Sequence, residues 1–132
     1  VCFFDRYRKD WQQTKSDIIR RIGRTTAFID STGVGDPIVE DIQRACPNVR
    51  GFRYTATSKQ QIMEQLAAAV HAGEVQFPEG AISDEMRNFE FMYSGNGVKY
   101  SAPDGLHDDC VNALALALDC KKRNKPGLFK WA

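Results

Sequence analysis

The segment TTAFIDSTGVGDP, residues 25–37, is the stretch that decides the fold. Residues 26–29 form a short apolar run with β-branched and aromatic side chains, which is typical of a buried strand. The run ends on Asp30, a glycine-containing turn follows, and Asp36 and Pro37 have the N-cap and first-turn chemistry of a helix start. A strand that passes through a short turn into a helix predicts an α/β protein.

The same alternation of strands and helices continues on both sides of this segment. Strands are predicted at residues 1–7, 25–30, 49–54 and 75–77, and a hairpin at 91–93 and 98–100. Helices are predicted at residues 11–22, 36–45, 59–72, 82–89 and 107–122, the third of them opened by a capping box of Ser58 and Gln61. This order predicts a largely parallel sheet that is covered on both faces and binds ligands at the carboxyl ends of its strands.

Length and composition favour one globular domain, because 132 residues are enough for a single core and 42% of them are hydrophobic. No apolar run approaches the roughly 18 to 20 residues of a membrane-spanning helix, and no signal peptide is recognisable. The cysteines at positions 2, 46, 110 and 120 lack CxxC spacing. We therefore expect reduced thiols and a cytoplasmic location.

Asp30 is the first candidate for chemistry, because a carboxylate at a strand end followed by Gly33 can approach a ligand closely. An Asx turn closed by Asp30 is the alternative interpretation. A dinucleotide site is disfavoured because Gly33-Val34-Gly35 lacks the third glycine of GxGxxG, and no GK[ST] phosphate loop occurs in the chain.

Asp108 and Asp109 are the second candidates, and they stand in Gly105-Leu106-His107-Asp108-Asp109 at the start of the final helix. Acids in a first helical turn also complement the helix dipole, which is the alternative interpretation. Two adjacent acids at the edge of the apolar segment 111–118 nevertheless call for a partner. Mg²⁺ and Mn²⁺ prefer such oxygens, and His107 could ligate, bind phosphate or cap the helix.

Basic residues are concentrated at 20–24 and at 121–125, although the formal net charge of the chain is only +1. Separate basic and acidic zones suit a phosphate track that leads to a metal pocket, and solvated helix ends are the alternative. Lys99 lies among the aromatic residues of the predicted hairpin, where stacking on nucleic acid and packing in the core are both possible. The residues that we expect to contact DNA are Arg24, Lys59, Lys99 and Lys121.

Taken together, four ordered segments carry a family resemblance. They are residues 30–37 (DSTGVGDP), 57–59 (TSK), 85–89 (EMRNF) and 105–115 (GLHDDCVNALA). The chain resembles, over nearly its whole length, the C-terminal nuclease domain of a tailed-phage terminase large subunit. The resemblance implies an RNase H-like α/β fold, a mixed sheet flanked by helices.

What this resemblance implies for function is a two-metal endonuclease that cuts concatemeric double-stranded viral DNA with Mg²⁺ or Mn²⁺. Asp30, Asp108 and Asp109 match the family's metal-binding acids, with Asp108 the first choice and His107 an additional candidate ligand. The implied partners are DNA and, through the full-length protein, the portal and the small terminase subunit, at the procapsid in the host cytoplasm. No membrane partner is expected.

One family feature has no counterpart in these residues. Members carry a further metal-binding Asp on a first strand upstream of Val1, and no motif places Asp5 in that role. We therefore expect an incomplete metal pocket within this chain. Two other functions stay open at this point: another RNase H-like enzyme of the resolvase or transposase type, and a non-catalytic module that binds DNA or the portal.

Overall fold

The computed structural model describes residues 1, 3–6, 8–33, 35–94, 97–103, 105 and 107–124. The elements in these ranges are, in chain order, α1 (Trp11–Ile22), β1 (Ala27–Asp30), α2 (Gly35–Gln43), β2 (Val49–Phe52), α3 (Ala56–His71), α4 (Ala81–Asn88), β3 (Glu90–Ser94), β4 (Gly97–Ser101) and α5 (Asp109–Arg123). Within the described part, no helix has both the length and the apolar character needed to cross a bilayer.

The strands pair in two ways. β1 and β2 are parallel, with Ala27 opposite Val49 and Asp30 opposite Phe52, and α2 forms the crossover between them. β3 and β4 are antiparallel, which confirms the predicted hairpin, although its turn residues Gly95 and Asn96 lie outside the described residues. Over the described ranges the two pairs are separate two-stranded sheets, so the chain combines parallel and antiparallel pairing.

Two predicted strands are wrong. Residues 3–6 and 75–77 have no strand structure, because neither segment finds a hydrogen-bonded strand partner among the described residues. Their apolar side chains still pack: Phe4, Val75 and Phe77 lie against the main core cluster. The apolar side chains of the two segments therefore contribute to the core although the segments do not form strands.

The core lies on both faces of the parallel pair, as predicted. On one face Val49 packs with Ile42 of α2, and the apolar side of α1 covers them. On the other face Phe28 and Phe52 stack at 6.1 Å and join the cluster formed by α3, α4 and α5. β1 and β2 are thus held between helices, and the ends of both strands are fixed relative to α5.

Two helix starts differ from the prediction by more than one residue. α3 begins at Ala56 because Thr55 and Ser58 form the capping box, with hydrogen bonds of 2.8 and 3.0 Å between backbone N–H groups and hydroxyls. The predicted box of Ser58 and Gln61 is therefore wrong by one turn. α5 begins at Asp109 with Asp108 at the N-cap position, so His107 precedes the helix.

The described cysteines are all buried free thiols. Cys46 lies in the cluster beneath α1 and α2, and Cys110 and Cys120 lie on α5. Burial and a hydrogen bond to Glu85 raise the pKa of Cys110 to about 11. These thiols act as packing residues, and Cys2 lies outside the described residues.

Candidate metal and nucleic-acid site

Asp30 is the last residue of β1, and its side chain is exposed. Its Oδ1 accepts a hydrogen bond of 2.8 Å from the backbone N–H of Thr32, so the Asx turn is present. The Thr32 hydroxyl in turn accepts a 3.0 Å hydrogen bond from the N–H of Tyr54 and ties this turn to the segment after β2. The turn uses one oxygen of the Asp30 carboxylate, which leaves the other oxygen able to bind a cation.

A groove of about 980 Å³, the β1–α5 groove, separates β1 from α5. Asp30, Tyr54, Asp109 and Asn112 belong to its lining, together with apolar residues of β1 and α5. The thiol of Cys120 donates to the Thr26 carbonyl at 3.5 Å, which sets the last turns of α5 beside the start of β1. Asp30, at the other end of β1, consequently lies toward the start of α5.

The charges of the candidate acids affect the pKa of the nearby Tyr54 phenol. Burial, followed by the charges of Asp30 and Asp108, raises the pKa of the Tyr54 phenol well above its usual range. The phenol donates to the backbone carbonyl of Asn112 at 3.4 Å, which fixes it against α5. Acids from the end of β1 and the start of α5 therefore act on one phenol. No role was predicted for Tyr54, although its place just beyond β2, beside the end of β1, was a usable signal.

Asp108 pairs with a lysine from a different helix. Its Oδ2 lies 3.3 Å from Nζ of Lys59 in the first turn of α3, and the two side chains are 25% and 28% exposed. Lys59 was predicted to contact DNA, and the structure places it against an acid of the candidate site. The ammonium offsets the charge of Asp108 and stands where a phosphate beside that acid would meet it.

Asp109 is 75% exposed and lines two grooves. The second, of about 1070 Å³, is the N-terminal groove, and its lining includes Arg6, Arg8 and His107. A guanidinium nitrogen of Arg6 lies 3.8 Å from the Asp109 carboxylate. Among the described basic residues of the predicted clusters at 20–24 and 121–125, only Lys121 lines either groove, and the arginines close to the acid come from the N-terminal segment instead. Sequence patterns gave no signal for Arg6, because its contacts are with residues far along the chain.

Glu85 is a buried carboxylate that the sequence analysis quoted but left without a role. It is 8% exposed, and it accepts a 2.7 Å hydrogen bond from the backbone N–H of Cys110. Its second oxygen lies 3.1 Å from a guanidinium nitrogen of Arg6. The signal was present: Ile82, Glu85, Met86 and Phe89 follow the spacing of one helix face, and a carboxylate on an apolar face calls for a partner.

The other predicted binding residues are more dispersed. His107 is exposed beside Asp109 in the N-terminal groove, and Lys121 lines the β1–α5 groove on the last turn of α5. Arg24 is exposed in the turn after α1. The backbone of Lys99 pairs with Met92 in the hairpin, but its side chain lies outside the described part of the structure.

Asn112 contributes a further oxygen to the β1–α5 groove. Its Oδ1 is buried and accepts no hydrogen bond from the described residues. Asn112 lies three and four residues after the two acids, so the helical repeat places it on their side of α5. Within the described ranges, no three His, Cys, Asp or Glu side chains form a cluster able to hold a metal ion. The described donors therefore make an open set rather than a closed cage.

The chain is similar to known proteins in both sequence and fold. Residues 7–121 match the family model described as Terminase RNaseH-like domain. The crystal structure of the large terminase nuclease from thermophilic phage G20c with bound cobalt is similar, with a TM-score of 0.74 and 28% identity. The match covers 84% of this chain and 62% of that chain. A comparison with curated proteins gave no significant match. The predicted RNase H-like α/β fold is confirmed.

Proposed function

This chain belongs to the terminase RNase H-like domain family, and we propose from this premise that it is the metal-dependent nuclease part of a phage DNA-packaging terminase. The proposed reaction is two-metal hydrolysis of phosphodiester bonds in concatemeric double-stranded viral DNA. The observation that carries the proposal is that two segments distant in sequence lie close together. Asp30 and Asp109 line one groove, and the charges of Asp30 and Asp108 both raise the pKa of Tyr54.

The donor chemistry of this groove fits a hard divalent cation. Carboxylate oxygens of Asp30, Asp108 and Asp109 are the ligands that Mg²⁺ and Mn²⁺ prefer, and the buried Asn112 Oδ1 has no hydrogen-bond partner among the described residues. Mg²⁺ is commonly held by one or two carboxylates together with water and substrate phosphates, so an open donor set suits it. The crystal structure of the similar terminase nuclease contains bound cobalt, which supports a metal site in this fold.

Each side chain has a part that follows from its position. Asp30, Asp108 and Asp109 would hold the ions, which supply Lewis-acid stabilisation of the charge that develops on the phosphate. Lys59 and Arg6, beside the acids, would bind phosphate oxygens of the strand.

Tyr54 has a more limited part. A phenol is protonated at neutral pH, and burial together with the nearby acids raises the pKa of Tyr54 further, so Tyr54 donates a hydrogen bond rather than acting as a general base. It would fix the start of α5 beside the end of β1.

The proposal also covers the substrate of this domain and the partners of the full-length protein. Double-stranded DNA would follow Lys59 and the arginines of the N-terminal groove, with Arg24, Lys99 and Lys121 as outer contacts. The full-length terminase would bring this domain to the portal and the small subunit at the procapsid in the host cytoplasm.

Plasmid cleavage tests the proposal. The full-length protein would be incubated with supercoiled plasmid and Mn²⁺, unsubstituted and as Asp30→Asn, Asp109→Asn and Asp41→Asn variants. We expect metal-dependent cleavage that both site substitutions abolish. Asp41→Asn is the matched control, since Asp41 is paired with Lys15 and lines neither groove.

Three outcomes would contradict the proposal. Cleavage that persists in Asp30→Asn and Asp109→Asn would place the chemistry elsewhere. DNA binding without cleavage in every version would favour a non-catalytic module. A strong preference for four-way junctions over linear duplex would favour a resolvase.

A further inference from the structure

Asp108 occupies the N-cap position of α5 without capping it. An aspartate at this position normally accepts a hydrogen bond from one of the first free N–H groups of its helix. Asp108 makes no such bond, and its backbone, with φ −127° and ψ 15°, is outside the extended region usual for a cap. Its carboxylate instead lies 3.3 Å from Lys59.

Glu85 of α4 supplies the capping hydrogen bond in place of Asp108. Its Oε2 accepts the backbone N–H of Cys110 at 2.7 Å, and Cys110 is the second residue of α5, the one that an N-cap side chain would serve. The other oxygen, Oε1, accepts a hydrogen bond from the Cys110 thiol at 3.1 Å. A buried carboxylate at a helix N-terminus also complements the helix dipole. A remote side chain therefore satisfies the donor that Asp108 would otherwise bind.

We propose, on the basis of the nuclease function above, that Glu85 is a positioning residue that caps α5 so that the carboxylate of Asp108 stays available to the metal site. The two carboxylates compete for one buried donor, and that donor needs an acceptor in either case. Without Glu85, the Asp108 side chain turns back onto its own helix and leaves Lys59. Arg6 joins the same arrangement to the neighbouring acid, since it lies 3.1 Å from Glu85 and 3.8 Å from Asp109.

A metal-free double-mutant cycle tests the competition directly. Glu85→Met removes both acceptor oxygens, and Asp108→Ala removes the competing carboxylate. All variants carry Lys59→Met, so that the ion pair of Asp108 contributes to neither arm. In urea unfolding, Asp108→Ala should change the unfolding equilibrium constant little when Glu85 is present. When Glu85→Met is present, Asp108→Ala should shift the equilibrium about fivefold toward the unfolded state, which is the usual effect of losing an N-cap. Additive effects of the two substitutions would overturn the proposal.

Mn²⁺ affinity, measured by calorimetry on the full chain, is the second readout. Glu85→Met should weaken binding by roughly 10- to 100-fold, as changes beside metal ligands do. Glu85→Gln keeps an oxygen for the Cys110 N–H and should stay close to the unsubstituted chain. Leu114→Ala is the control for general destabilisation, because it removes a buried side chain of the same helix and should leave the affinity unchanged.

The two readouts separate the two proposals. If the unsubstituted chain binds no Mn²⁺, the proposed function fails, and the metal-free cycle still decides the role of Glu85. If it binds Mn²⁺ and Glu85→Met binds equally well, or if Leu114→Ala weakens binding as strongly, the positioning role of Glu85 is refuted while the nuclease site stands.

Discussion

Replacing Lys59 with methionine should raise the affinity of the chain for Mn²⁺ by about two- to fivefold. Nζ of Lys59 lies 3.3 Å from Oδ2 of Asp108, and both side chains are about a quarter exposed. A partly exposed pair of this kind contributes on the order of 0.4 to 1 kcal/mol, which corresponds to that range of binding constants. A cation at Asp108 must displace or share the ammonium, so removing the ammonium returns this free energy to binding.

Isothermal titration calorimetry at fixed ionic strength measures the effect, since salt screens such pairs. The matched control is Lys15→Met. Lys15 pairs with Asp41 at 2.6 Å, its side chain is 25% exposed, and it lines neither groove, so its loss should leave Mn²⁺ affinity unchanged. An unchanged or lower affinity in Lys59→Met, or an equal gain in Lys15→Met, would refute the reasoning.

Further predictions concern stability and thiol reactivity. Ile42→Ala removes a side chain with no exposure and should lower the free energy of unfolding in urea by about 2 to 5 kcal/mol; a loss far below this would mean that the site does not pack as described. A hydrogen bond from Lys15 lowers the pKa of Asp41 below its ordinary value of 3.8, so its stabilisation is fully present above that pH and is lost as the pH falls through the lower, folded-state pKa. Asp41→Asn should therefore flatten the acid limb of the stability–pH profile, and an unchanged slope would contradict this. With a pKa of about 11, the buried Cys110 is about one-thousandth ionised near pH 8, so peptide mapping should find it alkylated only after denaturation.

Local sequence signals predicted most of the secondary structure. Residues 11–22 have a period typical of a helix and a terminal glycine, and α1 has those bounds. The apolar run before Asp30 forms β1, where it is half-buried rather than fully buried as predicted, and its parallel pairing with β2 followed from the strand–helix alternation. The capping box was misplaced because Ser58 and Gln61 fit the usual pattern, whereas the box that forms has Ser58 at the position where Glu or Gln is usual.

The site was only half accessible to sequence reasoning. Asp30, Asp108 and Asp109 could be predicted as site residues because a strand end and a helix start are local patterns. The contacts that arrange them are not local: Lys59 is 49 residues from Asp108, and Glu85 is 25 residues from Cys110. Such pairings depend on how α3 and α4 pack against α5, which one chain's residue order does not reveal.

Paramagnetic broadening by Mn²⁺ in the NMR spectrum of the chain tests the central claim most directly. Substoichiometric Mn²⁺ should broaden the backbone amide signals of residues 30–32 and 108–112 before any others, and Asp30→Asn combined with Asp109→Asn should abolish the effect. Broadening that begins elsewhere, for example around Asp41 or Glu79, or that survives the double substitution, would contradict a metal site between the end of β1 and the start of α5.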